Sequence, residues 1–137
     1  MIYSELIDLV LSFLAYFGTS LALILAYLVI YMWVTPHNEL ALIKDNNTAA
    51  SSAAIGSLVG FTLPLFTIIQ QSGSLVECIF WGGVAIIVQV LIFFLVRLPI
   101  PKISDRIENG ELASGIWLGG ASLTAGLLNA ALSLIHI

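Results

Sequence analysis

The sequence predicts an all-α integral membrane protein with four transmembrane helices. Of its 137 residues, 60% are hydrophobic and only 9% are charged, whereas soluble domains carry about 25% charged residues. The charged residues also leave four uncharged intervals, and a helix needs roughly 20 residues to cross the hydrocarbon core. Helices satisfy their own backbone hydrogen bonds in lipid, so each interval is predicted to hold one helix.

The four spans follow from the lengths of these intervals. They contain 30, 31, 19 and 26 residues in chain order, so none comfortably holds two spans. Pro64 lies inside the second interval and predicts a kink with a freed backbone carbonyl. The spans are predicted near 9–34, 48–70, 75–97 and 111–135.

The two longer connections, 35–47 and 98–110, share one design. Each opens with proline, which fits a helix stop. Apolar and charged residues then alternate at roughly helical spacing, which predicts short amphipathic helices in the membrane interface after the first and third spans. All four Lys and Arg residues lie in or beside these connections. The positive-inside rule therefore predicts that both connections are cytoplasmic and that both termini lie outside.

A shift of 63 residues aligns the chain with itself without gaps. Similarity of any two membrane hairpins is the alternative explanation, because small residues recur in transmembrane helices. We interpret the match as two two-helix units, 1–71 and 72–137. Each holds an even number of spans, so the repeat is predicted to be parallel, about an axis along the membrane normal. The matched pairs include Pro36 with Pro99, Asn46 with Asn109, Ser51 with Ser114 and Gly56 with Gly119.

The second and fourth spans carry small residues on one helix face. From Gly115 to Ser133, small or small polar residues recur at spacings of 4, 3, 4, 3 and 4, which is one side of a helix. Such a face favours close helix packing, and it could also line a pathway if several copies surround an axis. Gln89, an amide inside the third span, should face another helix. The candidate packing or pathway face is Ser52, Gly56, Gly60, Gln89, Gly115, Gly119, Ser122, Gly126 and Asn129.

A second candidate region is polar and lies in the predicted cytoplasmic connections. It is either a small binding surface where free N–H groups favour anions, or a solvated turn in which Asn47 or Thr48 caps the next helix. The candidate loop surface is His37, Asn38, Glu39, Asn46, Asn47, Thr48 and Asn109.

Chemistry of other kinds is not indicated. The sequence has no GxSxG or HExxH motif and no metal-ligand spacing around its single cysteine, so no enzyme, cofactor or metal site is predicted. It lacks a basic run, which excludes nucleic acid as an expected partner. No charged residue lies deep in a span, which disfavours a proton- or ion-coupled pump.

Three stretches carry a resemblance to a known family. They are TPHNELALIKDNNTAAS (35–51), WGGVAIIVQVLIFFLVRL (81–98) and ENGELASGIWLGGASLTAGLLNAAL (108–132). With them the chain resembles, over nearly its whole length, the YjfL family of small bacterial inner-membrane proteins, UPF0719, whose domain is domain of unknown function 350. The resemblance implies four membrane helices in two copies of a two-helix unit, an inner-membrane location and a loose link to envelope stress. It implies no reaction or catalytic residue.

Two functional hypotheses remain. In the first, the chain forms a homo-oligomeric assembly in the lipid bilayer that forms or gates a small channel-like pathway. In the second, a non-conducting scaffold docks a cytoplasmic protein partner through 35–47 and 98–110. The first predicts sensitivity at Gln89 and Gly119, and the second predicts sensitivity in the loops.

Overall fold

The structure is a computed structural model that describes residues 2–36 and 38–136, the last of them by its backbone alone. No β-strand occurs in these residues, and four of the helices are long and apolar enough to cross a membrane. The prediction of an all-α protein with four spans and short helices after the first and third is therefore confirmed. The helices are α1 (Ile2–Val34), α2 (Glu39–Lys44), α3 (Thr48–Gln71), α4 (Leu75–Val96), α5 (Ile103–Glu108) and α6 (Leu112–His136).

The predicted span bounds agree with three of the long helices to within one residue, and α1 is the exception. It begins at Ile2 rather than near residue 9, so Glu5 and Asp8 are helical. A charge excludes a residue from the hydrocarbon core but does not end a helix, which continues into water as long as its backbone bonds are satisfied. The uncharged interval therefore agreed with the end of α1 at Val34 and missed its start.

α3 occupies the centre of the bundle and packs most extensively on α6. Ala49 lies against Gly115 and Gly60 lies against Gly126, so residue numbers rise together and the two helices run parallel. The indole of Trp117 on α6 donates to the carbonyl of Val96 at 2.8 Å, at the end where α4 stops and α6 begins. α4 is thus antiparallel to α6.

α1 packs on α3 and α4 through its second half only. Its buried residues are Leu23, Tyr27 and Tyr31, and Leu23 contacts α4 at Gly82. Every residue from Ile2 to Leu14 is exposed. Because Gly82 is seven residues into α4, about a dozen residues of α1 extend past the ends of the neighbouring helices.

The short helices α2 and α5 lie at one end of the bundle, which we call the α2/α5 end. Asn47 connects this end to the core: its side-chain oxygen accepts from the Ala50 N–H at 3.0 Å, which caps α3. Its amide nitrogen donates to the carbonyl of Ile107 at 2.9 Å. One side chain therefore starts a membrane helix and holds the end of α5 beside it.

The predicted units 1–71 and 72–137 pack on each other along α3 and α6. Both contain a long helix, a six-residue helix and a second long helix in that order. Common ancestry of the two units, and an axis of symmetry between them, stay predictions.

Candidate functional site

The small-residue face of α6 packs directly on the backbone of α3. A Cβ atom added at Gly119 would collide with the carbonyl oxygen of Ser52, and one added at Gly126 would collide with that of Gly60. Gly56 is equally close to the backbone of Gly119. Within one chain these glycines fill the contact between two helices, so no open channel runs along this face.

Pro64 adds a polar group to the same contact. Proline has no N–H, so the carbonyl of Gly60, four residues earlier, loses its helical partner. α3 nevertheless continues through Pro64 to Gln71. The Gly60 carbonyl points at Gly126, where a weak Cα–H···O contact is the available replacement.

Gln89 and Ser122 bring unsatisfied polar atoms into the interior beside this contact. Both side chains are almost fully buried, with 1% and 2% of their surface exposed. The Gln89 amide nitrogen donates to the backbone carbonyl of Ser122 at 3.3 Å, which is a long bond. The Gln89 Oε1 and Ser122 Oγ atoms are buried without a hydrogen-bond partner. A buried polar atom left unpaired costs about 1–3 kcal/mol, so each such group calls for an explanation.

Two further residues complete this region, and sequence reasoning missed both. Tyr27 and Ser57 are buried, and their hydroxyl oxygens lie 2.6 Å apart in a hydrogen bond between α1 and α3. Gly60, one turn after Ser57 on α3, lies beside the Gln89 amide nitrogen, which brings this pair next to Gln89. Tyr27 lies about two helical turns inside the predicted end of its span, deeper than interfacial tyrosines at the ends of spans, and this depth was the available signal. We call Tyr27, Ser57, Gln89 and Ser122 the inner polar cluster.

The inner polar cluster lies near mid-depth, where all four long helices meet. The Gln89 amide nitrogen lies beside Gly60. Gly60 is near the centre of the 24-residue α3. The members are two hydroxyls of serine, one phenol and one amide, so they are neutral donors and acceptors. Such a group can hydrogen-bond water or a small uncharged solute and has no fixed charge to attract an ion.

Asn129, another member of the predicted face, lies apart from this cluster. It lines a small crevice of about 110 Å³ between α4 and α6, together with Trp81 and Ser133. Its amide nitrogen is buried and has no hydrogen-bond partner. Asn129 follows Ser122 by two helical turns, so the polar groups of α6 continue along the contact with α4.

The predicted loop surface is divided by the fold. Asn38 caps α2 by accepting from the Ala41 N–H at 3.2 Å, and Asn46 adopts the left-handed conformation with φ of 65°, which asparagine tolerates better than most residues. His37 lies outside the described residues. The exposed members of the surface are Asn38, Asn46, Thr48 and Asn109.

Glu39 does not lie on that surface, contrary to its predicted place. It is only 3% exposed, and its Oε1 accepts a hydrogen bond of 2.8 Å from the Tyr31 hydroxyl. α2 begins five residues after α1 ends at Val34, with Asn38 as its N-cap, and its first turn lies against the end of α1 at Tyr31. Thr35 supports the same corner by donating to the Tyr31 carbonyl at 2.5 Å.

Metal-ligating side chains do not form a cluster in the described residues. Across residues 2–36 and 38–135, no group of three or more His, Cys, Asp or Glu side chains is placed to hold a metal ion. The arrangement supports hydrogen bonding and helix packing.

Comparison with known proteins identifies the family. A family model described as Domain of Unknown Function (DUF350) matches residues 2–133. The chain belongs to this family. It is 43% identical over 127 residues to the UPF0719 inner membrane protein YjfL of Escherichia coli (strain K12), which covers 93% of this chain and 96% of that protein.

A more distant relative is the UPF0719 transmembrane protein YshE of Bacillus subtilis (strain 168). It is 26% identical over 103 residues, which cover 74% of this chain and 77% of that protein. No solved structure matches the chain. The resemblance to UPF0719 is thus confirmed, and the relatives' names together with four apolar helices fit a multi-pass protein of the bacterial inner membrane. None of these names gives an enzymatic activity.

Proposed function

We propose that this DUF350 protein forms a homo-oligomeric membrane assembly that gates a narrow pathway for a small uncharged solute. The observation that carries the proposal is the pair of unpartnered polar atoms, Gln89 Oε1 and Ser122 Oγ, buried at mid-depth. Polar groups inside a membrane protein are expensive and commonly mark a pathway. The chain described here, with α3 and α6 in backbone contact, corresponds to the closed arrangement.

The uncharged side chains of the inner polar cluster favour an uncharged solute over an ion. A fixed carboxylate or ammonium would favour an ion or a proton, but the interval from Cys78 to Val96 on α4 holds no charged residue. Amide and hydroxyl groups can replace the hydrogen bonds that water or a small polyol loses on entering the membrane. Separation of α3 from α6 would expose these groups to such a solute.

The outward face of α6 supports the homo-oligomeric part of the proposal. It carries a groove of about 550 Å³ between Trp117 and Leu128, with Gly120 and Thr124 on its floor. No atom lies within 4 Å of a Cβ added at Gly120. Small residues facing outward permit a second helix to approach closely, and several copies would surround an axis along the membrane normal.

Solute flux through proteoliposomes tests this function. The full-length protein is reconstituted, and water and glycerol entry are followed by light scattering after an osmotic step. We expect the wild type to conduct and Gln89→Leu and Ser122→Ala each to reduce flux at least tenfold. Thr62→Val is the matched control, because it removes an exposed hydroxyl that donates to the Leu58 carbonyl within α3 and should leave conduction intact.

Absence of flux in the wild type, or equal flux in Gln89→Leu, would overturn the gated pathway. The molecular mass of the detergent-solubilised protein tests oligomerisation separately. A monomer at all concentrations would contradict the homo-oligomer even if single chains conduct.

A second candidate function is a scaffold that docks a cytoplasmic protein at the α2/α5 end, which positive charge suggests is the cytoplasmic end. The exposure of Asn46 and Asn109 favours it, because both amides are available there. Replacement of both by alanine should release the partner from purified complexes while Gln89→Leu retains it. Unchanged partner recovery from the double variant would exclude this surface.

A further inference from the structure

A crevice of about 460 Å³ opens where α4 turns into α5. Two cationic side chains and several apolar ones line it, and no carboxylate is among its lining residues in the described part of the chain. The residues that matter are Arg97, Lys102, Phe94, Leu98, Ile100 and Ile103. We propose that this crevice is a binding site for an anionic phospholipid, with the headgroup phosphate held by Arg97 and Lys102.

Arg97 is already held in place for this role. Its Nη2 donates to the Ser104 Oγ at 3.1 Å, and its guanidinium carbon lies 5.2 Å from the centre of the Phe93 ring. The partners are a hydroxyl and an aromatic ring, so neither neutralises the positive charge. A guanidinium has five N–H donors in a planar fork that matches phosphate, so Arg97 keeps further donors for a phosphate in the crevice that it lines.

Lys102 supplies the second charge from the turn before α5. It is exposed, and its side chain makes no capping hydrogen bond to α5. Its backbone adopts the left-handed conformation, with φ of 56°, which is uncommon for lysine. The turn thus places an exposed ammonium among the residues that line the crevice, together with the Arg97 guanidinium.

The apolar residues that line the crevice favour a lipid over a free phosphate ion as the ligand. The uncharged part of α4 ends at Val96, so Arg97 marks the boundary between hydrocarbon and headgroups. Leu98 is 76% exposed and Phe94 is 47% exposed, next to the two cations. Basic pockets beside apolar helix ends are typical of sites for anionic headgroups. Free phosphate would use the cations and leave the apolar wall uncovered.

The chain provides a charge-matched control. Lys44 and Arg106 are its other two cations, and both are exposed near the ends of α2 and α5. Neither lines the crevice. A double variant at these residues removes the same charge as a double variant at Arg97 and Lys102, so a difference between the two variants reports position instead of net charge.

The test is a lipid titration of the full-length protein in detergent, followed by native mass spectrometry. The probes are phosphatidylglycerol, phosphatidylcholine with the same acyl chains, and glycerol 3-phosphate. Each cation near a surface strengthens binding of an anionic lipid about fivefold. We therefore expect R97Q/K102Q to bind phosphatidylglycerol about twenty-five-fold more weakly. K44Q/R106Q should change the affinity less than about threefold, because both residues lie outside the crevice and exposed charges at a distance are screened.

Thermal unfolding of each variant checks that its fold is retained. If R97Q/K102Q unfolds, K102Q alone decides the matter, because Lys102 is exposed and its loss should still weaken binding about fivefold. Equal losses in the two double variants, or equal wild-type affinity for phosphatidylcholine, would overturn the site. Binding of glycerol 3-phosphate as tightly as phosphatidylglycerol would overturn the lipid assignment. The proposal is independent of conduction, so a protein without flux leaves it standing.

Discussion

The contact between α3 and α6 and the contacts of α1 hold the same bundle together by opposite means. α6 approaches α3 through glycines whose backbone touches the backbone opposite, as at Gly119 and Ser52. α1 uses large side chains: the Tyr27 ring stacks on Phe61 with centroids 4.6 Å apart. The Tyr31 ring meets Phe93 edge-on at 5.4 Å.

The difference shows how each contact responds to change. Lipid gives no hydrophobic drive for helix association, so close backbone approach maximises dispersion contact and leaves no room for an added atom. Aromatic side chains instead fill a wider gap and carry hydroxyls that hydrogen-bond across it, as Tyr27 does with Ser57. The contact between α3 and α6 should therefore tolerate no added side chain. In the contacts of α1, removal of a single group should lower stability only slightly.

Gly119→Leu should have the largest effect. The new side chain would collide with the backbone of Ser52, so α3 and α6 would have to separate. Overpacking commonly costs 1–3 kcal/mol and more where backbone blocks relaxation, so we expect a loss of more than about 3 kcal/mol, or failure to fold. Thermal unfolding of the purified protein in detergent, followed by circular dichroism, measures it.

Gly120→Leu is the control for that variant, one residue away on the same helix. No atom lies within 4 Å of a Cβ added there, so stability of the single chain should change by less than about 0.5 kcal/mol. Its effect should instead appear in the molecular mass, if α6 contacts a second copy. Equal destabilisation by both variants would contradict the close contact at Gly119.

Tyr27→Phe should have an intermediate effect. It keeps the ring on Phe61 and removes one hydroxyl, which leaves Ser57 without its 2.6 Å partner. Hydrogen bonds between membrane helices contribute about 0.6 kcal/mol on average and up to about 1.7 kcal/mol, so a loss of about 1 kcal/mol is expected. Tyr16→Phe, at a half-buried position earlier on the same helix, should be nearly neutral. A larger loss at Tyr16 would refute the role of the Tyr27 hydroxyl.

Gln89→Leu should have a small effect on stability and a large one on function. Leucine gives up the 3.3 Å bond to the Ser122 carbonyl but also removes the unpartnered Oε1 from the interior. These two terms oppose each other, so stability should stay within about 1 kcal/mol of wild type while solute flux is lost. Strong destabilisation would show that Gln89 serves packing, and the inner polar cluster would then carry no pathway.

The sequence predicted the fold well where a local signal existed. Three spans were placed to within a residue, since each was bounded by a charge, a proline or a cap such as Asn47. The helical start of α1 at Ile2 was missed because Glu5 and Asp8 mark the edge of hydrocarbon and not the end of a helix. The candidate site was predicted only in part: Gln89 and Ser122 were singled out, whereas Tyr27 and Ser57 carried no motif.

By itself, the sequence determined that the chain is a four-span membrane protein with small-residue faces on its second and fourth spans. Composition and 3.6-residue periodicity are local properties, and they fix which residues share a side of a helix. Only the tertiary structure decided that Gly119 packs on α3 while the adjacent Gly120 faces outward, and that Glu39 is buried under Tyr31. Those outcomes depend on the rotation and position of several helices at once, which no single helix specifies.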